Sequence, residues 1–147
     1  FRGLGTDSDA KAREARAAAI KNIEAAREAF TKLADDFKSD PVLKVQCLMA
    51  LAKAEAALVG VPKEGVLINN DSDRKNENNF RGKTQRAIEL LDQVAAEAGD
   101  TGWGKDAKKL ADAMRNANTA DQVITLQAGL YDVKPTLPNL GPIPPKP

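Results

Sequence analysis

Four apolar positions, Ala26, Phe30, Leu33 and Phe37, recur 61 residues later as Ala87, Leu91, Val94 and Ala98. Spacings of four, three and four put each set on one stripe of an α-helix, the side that packs on a neighbour. Each set is followed by helix-breaking residues, Ser39-Asp40-Pro41 in the first case and Gly99-Asp100-Thr101 in the second, and then by another helical stretch. A helix–break–helix unit that occurs twice suits a stack of helix pairs, an architecture used for binding and assembly rather than for chemistry.

Composition narrows the choice further. Apolar residues make up 42% of the 147 and aromatics only 4%, so the apolar share rests on alanine. Alanine favours helices packed backbone to backbone and serves a sheet badly. The chain is the size of one domain with a core of its own. Its 22 basic and 21 acidic residues are interspersed and leave a net charge of +1, which offers no field for nucleic acid or an anionic lipid surface. Lys105, Lys108 and Lys109 form the densest basic cluster and read as a solvated helix face.

Histidine is absent. That removes the commonest general base and metal ligand, together with the Ser-His-Asp and Cys-His arrangements. Cys47 is the single cysteine, so an internal disulfide is impossible, and its place in Val45-Gln46-Cys47-Leu48-Met49 is that of a small buried hydrophobe. No apolar run approaches the roughly 18 residues that a membrane span needs. The chain begins at Phe1 rather than Met, and the expectation is a removed or omitted N-terminal segment able to carry a targeting peptide or membrane anchor.

Read along its length, the chain opens with a lead-in over residues 1–9. A long helix is expected from Asp9 to Lys38, with Ile20, Ile23, Ala26, Phe30, Leu33 and Phe37 on one face and almost no large apolar residue before Ile20. That first half is expected to project, or to pack on something outside the chain. Asp40-Pro41 is a cap followed by a helix-opening proline. The next helix, about 41–59, is apolar nearly all round and should lie between neighbours. Residues 60–81 interrupt the pattern, with a turn at Val61–Gly65, a short apolar patch at Val66–Ile68 and a mobile, asparagine-rich stretch from Asn69 to Asn79. Helices are expected at about 82–98 and 103–116. Thr119-Ala120-Asp121-Gln122 fits a capping box and opens another to about Asp132. Residues 135–147 hold six of the eight prolines and read as an extended polyproline-type arm.

On these residues the chain resembles the tetratricopeptide repeat (TPR) family, in the variety found in bacterial envelope proteins. Ala26, Phe30, Leu33, Phe37 and the Ser39-Asp40-Pro41 turn match the second helix of such a repeat. Cys47, Met49, Leu51, Ala52 and Leu58 supply the first helix of the next, and Ala87, Leu91 and Val94 its second. Asp100-Thr101 with Ala107 to Leu110 begin a truncated third unit. The similarity covers about residues 20–115. It departs from the family in two places. The offset of 61 exceeds the usual period of about 34, which an insertion at 60–81 would explain. Ala52 and Glu55 stand where the family usually has glycine and tyrosine.

The resemblance implies an all-α, right-handed α-α superhelix of about five helices spanning residues 10–132, with the arm at 133–147. It also implies a non-catalytic adaptor or accessory protein that binds protein partners, on the cell-envelope or periplasmic side, with the cytoplasm as the other compartment open to it. The alternative is a structural subunit of a larger assembly that clasps neighbours with the N-terminal helix and the proline-rich arm.

Candidate sites for chemistry are few. Asp71-Ser72-Asp73 opens like an EF-hand loop, but Lys75 and Asn76 occupy a ligand and the glycine position, and Gly82 stands where the bidentate glutamate belongs. Gly3-Leu4-Gly5-Thr6-Asp7 resembles the annexin calcium loop, without the leucine-rich helix or distal acidic ligand that would complete it. The carboxylate pairs Asp35-Asp36, Glu24/Glu28 and Asp71/Asp73 fall on expected solvent faces or a loop. No glycine-rich phosphate loop is present. No catalytic residue, cofactor, metal, small-molecule substrate or nucleic acid is therefore expected. The residues expected to meet a protein partner are Trp103, either a wedge between helices or an interface anchor, and Leu137, Leu140, Pro142, Ile143, Pro144 and Pro145 of the arm.

Overall fold

The computed structural model describes residues 5–117. These residues are helical, with no β-strand among them and only two isolated bridges, Val59 with Gly82 and Pro62 with Phe80. The helices are α1 (Gly5–Asp36), α2 (Pro41–Ala57), the short α3 (Asp71–Lys75), α4 (Thr84–Ala98) and α5 (Gly102–Asn116), with a 3₁₀ turn at Glu77–Asn79. The all-α expectation stands. The helix expected at 119–132 and the proline-rich arm at 133–147 lie outside the described residues.

The breaks fall where the side chains dictate. Asp40 is extended and its Oδ1 accepts the Val42 and Leu43 N–H groups, both at 3.0 Å, while Pro41 needs no partner at the first helical position. Thr101 caps α5 by accepting the Gly104 N–H at 3.3 Å. Gly99 closes α4 at φ 53° and ψ −129°, a backbone conformation open in practice only to glycine. Helix α1 begins at Gly5, so the lead-in expected over 1–9 is helical from that residue on.

Each long helix packs on the next in order, α1 on α2, α2 on α4 and α4 on α5. α2 is the sandwiched helix that its all-round apolar sequence calls for, with Val45, Cys47, Leu48, Met49, Leu51 and Ala52 buried. Ala87, Ala107 and Ala111 are wholly buried, and their small side chains let α4 and α5 approach closely. The ion pair Lys44–Glu97 (2.6 Å) joins the start of α2 to the end of α4, and the Val59–Gly82 bridge joins their other ends, so the two run antiparallel. The α1–α2 and α4–α5 turns consequently share one end of the molecule.

The two copies of the repeated stripe do not share an environment. Ala87, Leu91 and Val94 are fully buried between α2 and α5. Leu33 and Phe37, expected to face inward, are 37% and 38% exposed. Among the described residues α1 packs on one long helix only, and its inner face is centred on Ile20, Ile23, Arg27, Phe30 and Ala34, so of the repeated stripe only Phe30 lies near its middle.

Residues 60–83 also differ from expectation. Leu67 is 76% exposed, so the Val66–Ile68 patch does not tuck in as a unit. The asparagines that suggest a mobile loop act as caps instead. Asn70 accepts the Asp73 N–H (2.8 Å) to start α3, and Asn76 accepts the Asn78 N–H (3.1 Å) to start the 3₁₀ turn. Backbone bonds from Lys63 to Asn79 (2.9 Å), Arg81 to Val61 (2.8 Å) and Gly82 to Leu58 (3.0 Å) close the segment at its base. Gly82 comes so close to the end of α2 that a Cβ there would overlap the Glu55 carbonyl oxygen and lie 2.6 Å from the Val59 nitrogen.

A mixed-charge groove as the candidate functional site

α1 and α4 flank α2 and leave between them an open groove of about 540 Å³. Its floor is Leu51 and Glu55 of α2 with Leu90 of α4, and its walls carry Lys21, Glu28 and Thr31 from α1 and Arg86 from α4. Leu51 and Leu90 are buried because they also belong to the core, so the floor is rigid where the walls are long and polar.

The chemical centre of the groove is Glu55, a carboxylate only 6% exposed and the one charged side chain among the buried residues of α2. Burying a charge is costly unless it is paired and hydrogen-bonded. Arg27 of α1 supplies the pair, with Nη1 3.1 Å from Glu55 Oε2. The Lys83 backbone N–H donates to Glu55 Oε1 at 2.9 Å, which ties α2 to the start of α4. Arg27 Nη1 also donates to the Arg81 carbonyl (2.9 Å), Arg81 Nη1 to Glu24 (2.7 Å), and Arg81 Nε to the Pro62 carbonyl (3.1 Å). Four side chains and three backbone groups from α1, α2 and the 60–83 segment thus form one network, and no buried side-chain nitrogen or oxygen among the described residues lacks a partner.

This arrangement holds the helices together and offers little for catalysis. Each oxygen of Glu55 accepts a hydrogen bond within the network, Oε2 from Arg27 and Oε1 from the Lys83 N–H, so the carboxylate is committed to joining α1, α2 and the start of α4. Above it the rim is open and balanced in charge. Glu28 pairs with Lys32 (3.5 Å) and Arg86 with Glu89 (3.6 Å), both at the exposed surface, whereas Lys21 has no ion-pair partner among the described residues. Such a groove suits an extended polar segment with apolar side chains placed over Leu51 and Leu90.

The carboxylate pairs of the sequence remain apart from this centre, except that Glu24 joins it through Arg81. Asp35, Asp36 and Asp71 are exposed, and no group of three or more Cys, Asp or Glu among the described residues is arranged to hold a metal ion. Cys47 is buried and unpaired. Trp103 stands in the first turn of α5 at 48% exposure, at the end of the molecule that also exposes Phe37, Val42 and Leu43, so it is not a wedge sealed between helices. Leu137, Leu140, Pro142, Ile143, Pro144 and Pro145 lie outside the described residues.

The sequence does not reveal the Arg27–Glu55–Arg81 network, although it carries one signal: a glutamate within the alanine- and leucine-rich stretch Leu51–Leu58, where Lys53 is the only other charge. Arg27 and Arg81 left none, being ordinary charged residues among many. Among the described residues no helix is long and apolar enough to cross a membrane. No protein-family model matches the chain, and no curated protein or solved structure matches it either.

Proposed function

We propose that the chain is a non-catalytic protein–protein interaction module, a TPR-like helical-repeat adaptor whose groove between α1 and α4 holds a segment of a partner protein. The observation that carries this reading is the groove itself. It has a floor of Leu51 and Leu90 around the paired Glu55, walls of both charges, and helices stacked in chain order on either side. A right-handed superhelical course and an envelope location come from the sequence resemblance and are part of the same proposal. Peptide selection against the full chain tests it. Selected peptides should lose at least tenfold in affinity to Thr31→Arg or Arg86→Glu, which alter the walls and leave the core alone. Binding indifferent to both substitutions would remove the groove from the function.

A second reading, a structural subunit that clasps its neighbours, is favoured by a specific observation. Residues 9–19 of α1 are exposed throughout and contribute nothing to the core. The exposed Trp103, with the arm residues Leu137 to Pro145, would be further points of attachment. Protease digestion separates the two readings. An adaptor is resistant in isolation, whereas a subunit is cut within residues 1–19 and 134–147 until its neighbours are present.

A further inference from the structure

α1 is longer than the body it serves. The inner face of its second half packs on α2, and its opposite face is exposed from Lys11 to Asp36. The charges on that outer face, taken in order, are Lys11, Glu14, Lys21, Glu28, Lys32 and Asp36, an alternation of signs separated by Ala15, Ala18, Asn22, Ala25 and Ala29. Only Glu28 and Lys32 pair with each other. Lys11, Glu14, Lys21 and Asp36 have no ion-pair partner among the described residues. Asp35 and Asp36 end the helix against its dipole, with no basic residue in the last turn to offset them.

The alternation has a symmetry. Inverted about the Ile23–Glu24 peptide, Lys11 falls on Asp36, Glu14 one residue from Lys32, and Lys21 two residues from Glu28, so each charge comes within side-chain reach of one of opposite sign. A parallel pair in register would set every charge against its own kind. We propose that the outer face of α1 pairs antiparallel with α1 of a second copy of this chain, so that the basic residue near one helix start meets the acidic end of the other.

The small side chains between the charges allow close approach of the two backbones. Glu14, Lys21, Glu28 and Lys32 lie on one flank of the stripe, and same-flank residues are the ones that meet in an antiparallel pair. Leu33, exposed in the single chain, comes against Ala15 of the partner. Among the described residues α2 is the long helix that packs on α1, and α4 packs on α2 rather than on α1, which leaves the outer face clear. The pairing also accounts for a helix whose residues 9–19 join no core among the described residues, since helices gain most of their stability from packing. Lys21 and Glu28 also line the groove, so variants at the other four positions keep this inference separate from the peptide-binding one.

Sedimentation equilibrium of the full chain tests the proposal, with circular dichroism reporting that each variant is folded. The wild type should associate to about twice its 15.7 kDa mass, more weakly as salt rises. K11E/E14K and K32E/D36K should each weaken self-association at least tenfold. Mixed in equal amounts, the two variants form a heterodimer in which every pair is again of opposite sign, and the fourfold variant recovers the homodimer. A wild type that stays monomeric at 200 µM would overturn the proposal, as would variants that associate like the wild type or a mixture that does not recover.

Discussion

Arg27 and Glu55 stand 28 residues apart in the chain and 3.1 Å apart in the fold, where they clamp α1 onto α2 beneath the groove. Removing the cation leaves a buried carboxylate with one backbone donor. Arg27→Ala is expected to cost about 2 kcal/mol, toward the low side for breaking a buried pair because Arg27 is itself partly exposed. Glu55→Leu should cost more than Glu55→Gln, since leucine also orphans the Lys83 N–H while glutamine still accepts from it. Urea unfolding of the three variants at neutral pH checks the order.

Gly82 marks where the 60–83 segment is seated on the end of α2. Gly82→Ala puts a methyl into the Glu55 carbonyl and the Val59 nitrogen, both backbone atoms that cannot swing aside. The expected loss is about 1–3 kcal/mol, as for overpacking elsewhere. Hydrogen exchange should show faster opening at Gly82 and Arg81, whose N–H groups bond to Leu58 and Val61.

Asp40→Ala removes the acceptor shared by Val42 and Leu43 at the start of α2. The expected cost is about 1 kcal/mol, and Asp40→Asn or Asp40→Ser should recover most of it. Thermal unfolding followed by circular dichroism measures both.

Ala111 is wholly buried where α5 meets α4. Ala111→Leu forces the two helices apart and should cost about 1–3 kcal/mol. At Ala113, on the same helix but only partly buried, the same change should be nearly neutral. Paired denaturation curves of the two variants test whether the alanine content serves close packing or helix propensity alone.

How much of this could be read in advance depended on how local each cause was. Asp40-Pro41, Gly99 and Thr101 placed the helix breaks within a few residues, because caps and breakers act on their immediate neighbours. The sandwiched position of α2 followed from its all-round apolar sequence. The asparagines of residues 69–79 were legible as polar but not as caps, because the same side chain suits a solvated loop or a bonded turn equally well. Glu55 could be noticed but not paired, since nothing near it in the chain identifies Arg27.

The sequence by itself determined that this protein is helical, where four long helices begin and end apart from the start of α1, and which of them has to be the central one. These follow from propensity, capping and periodicity, all set within one or two turns of chain. Only the tertiary structure decided the fate of the repeated stripe, buried as Ala87, Leu91 and Val94 but left at the surface as Leu33 and Phe37. The reason is physical rather than chemical. Among the described residues α4 has a helix on each side and α1 has only one, so similar patterns on the two helices meet apolar contacts in one place and solvent in the other.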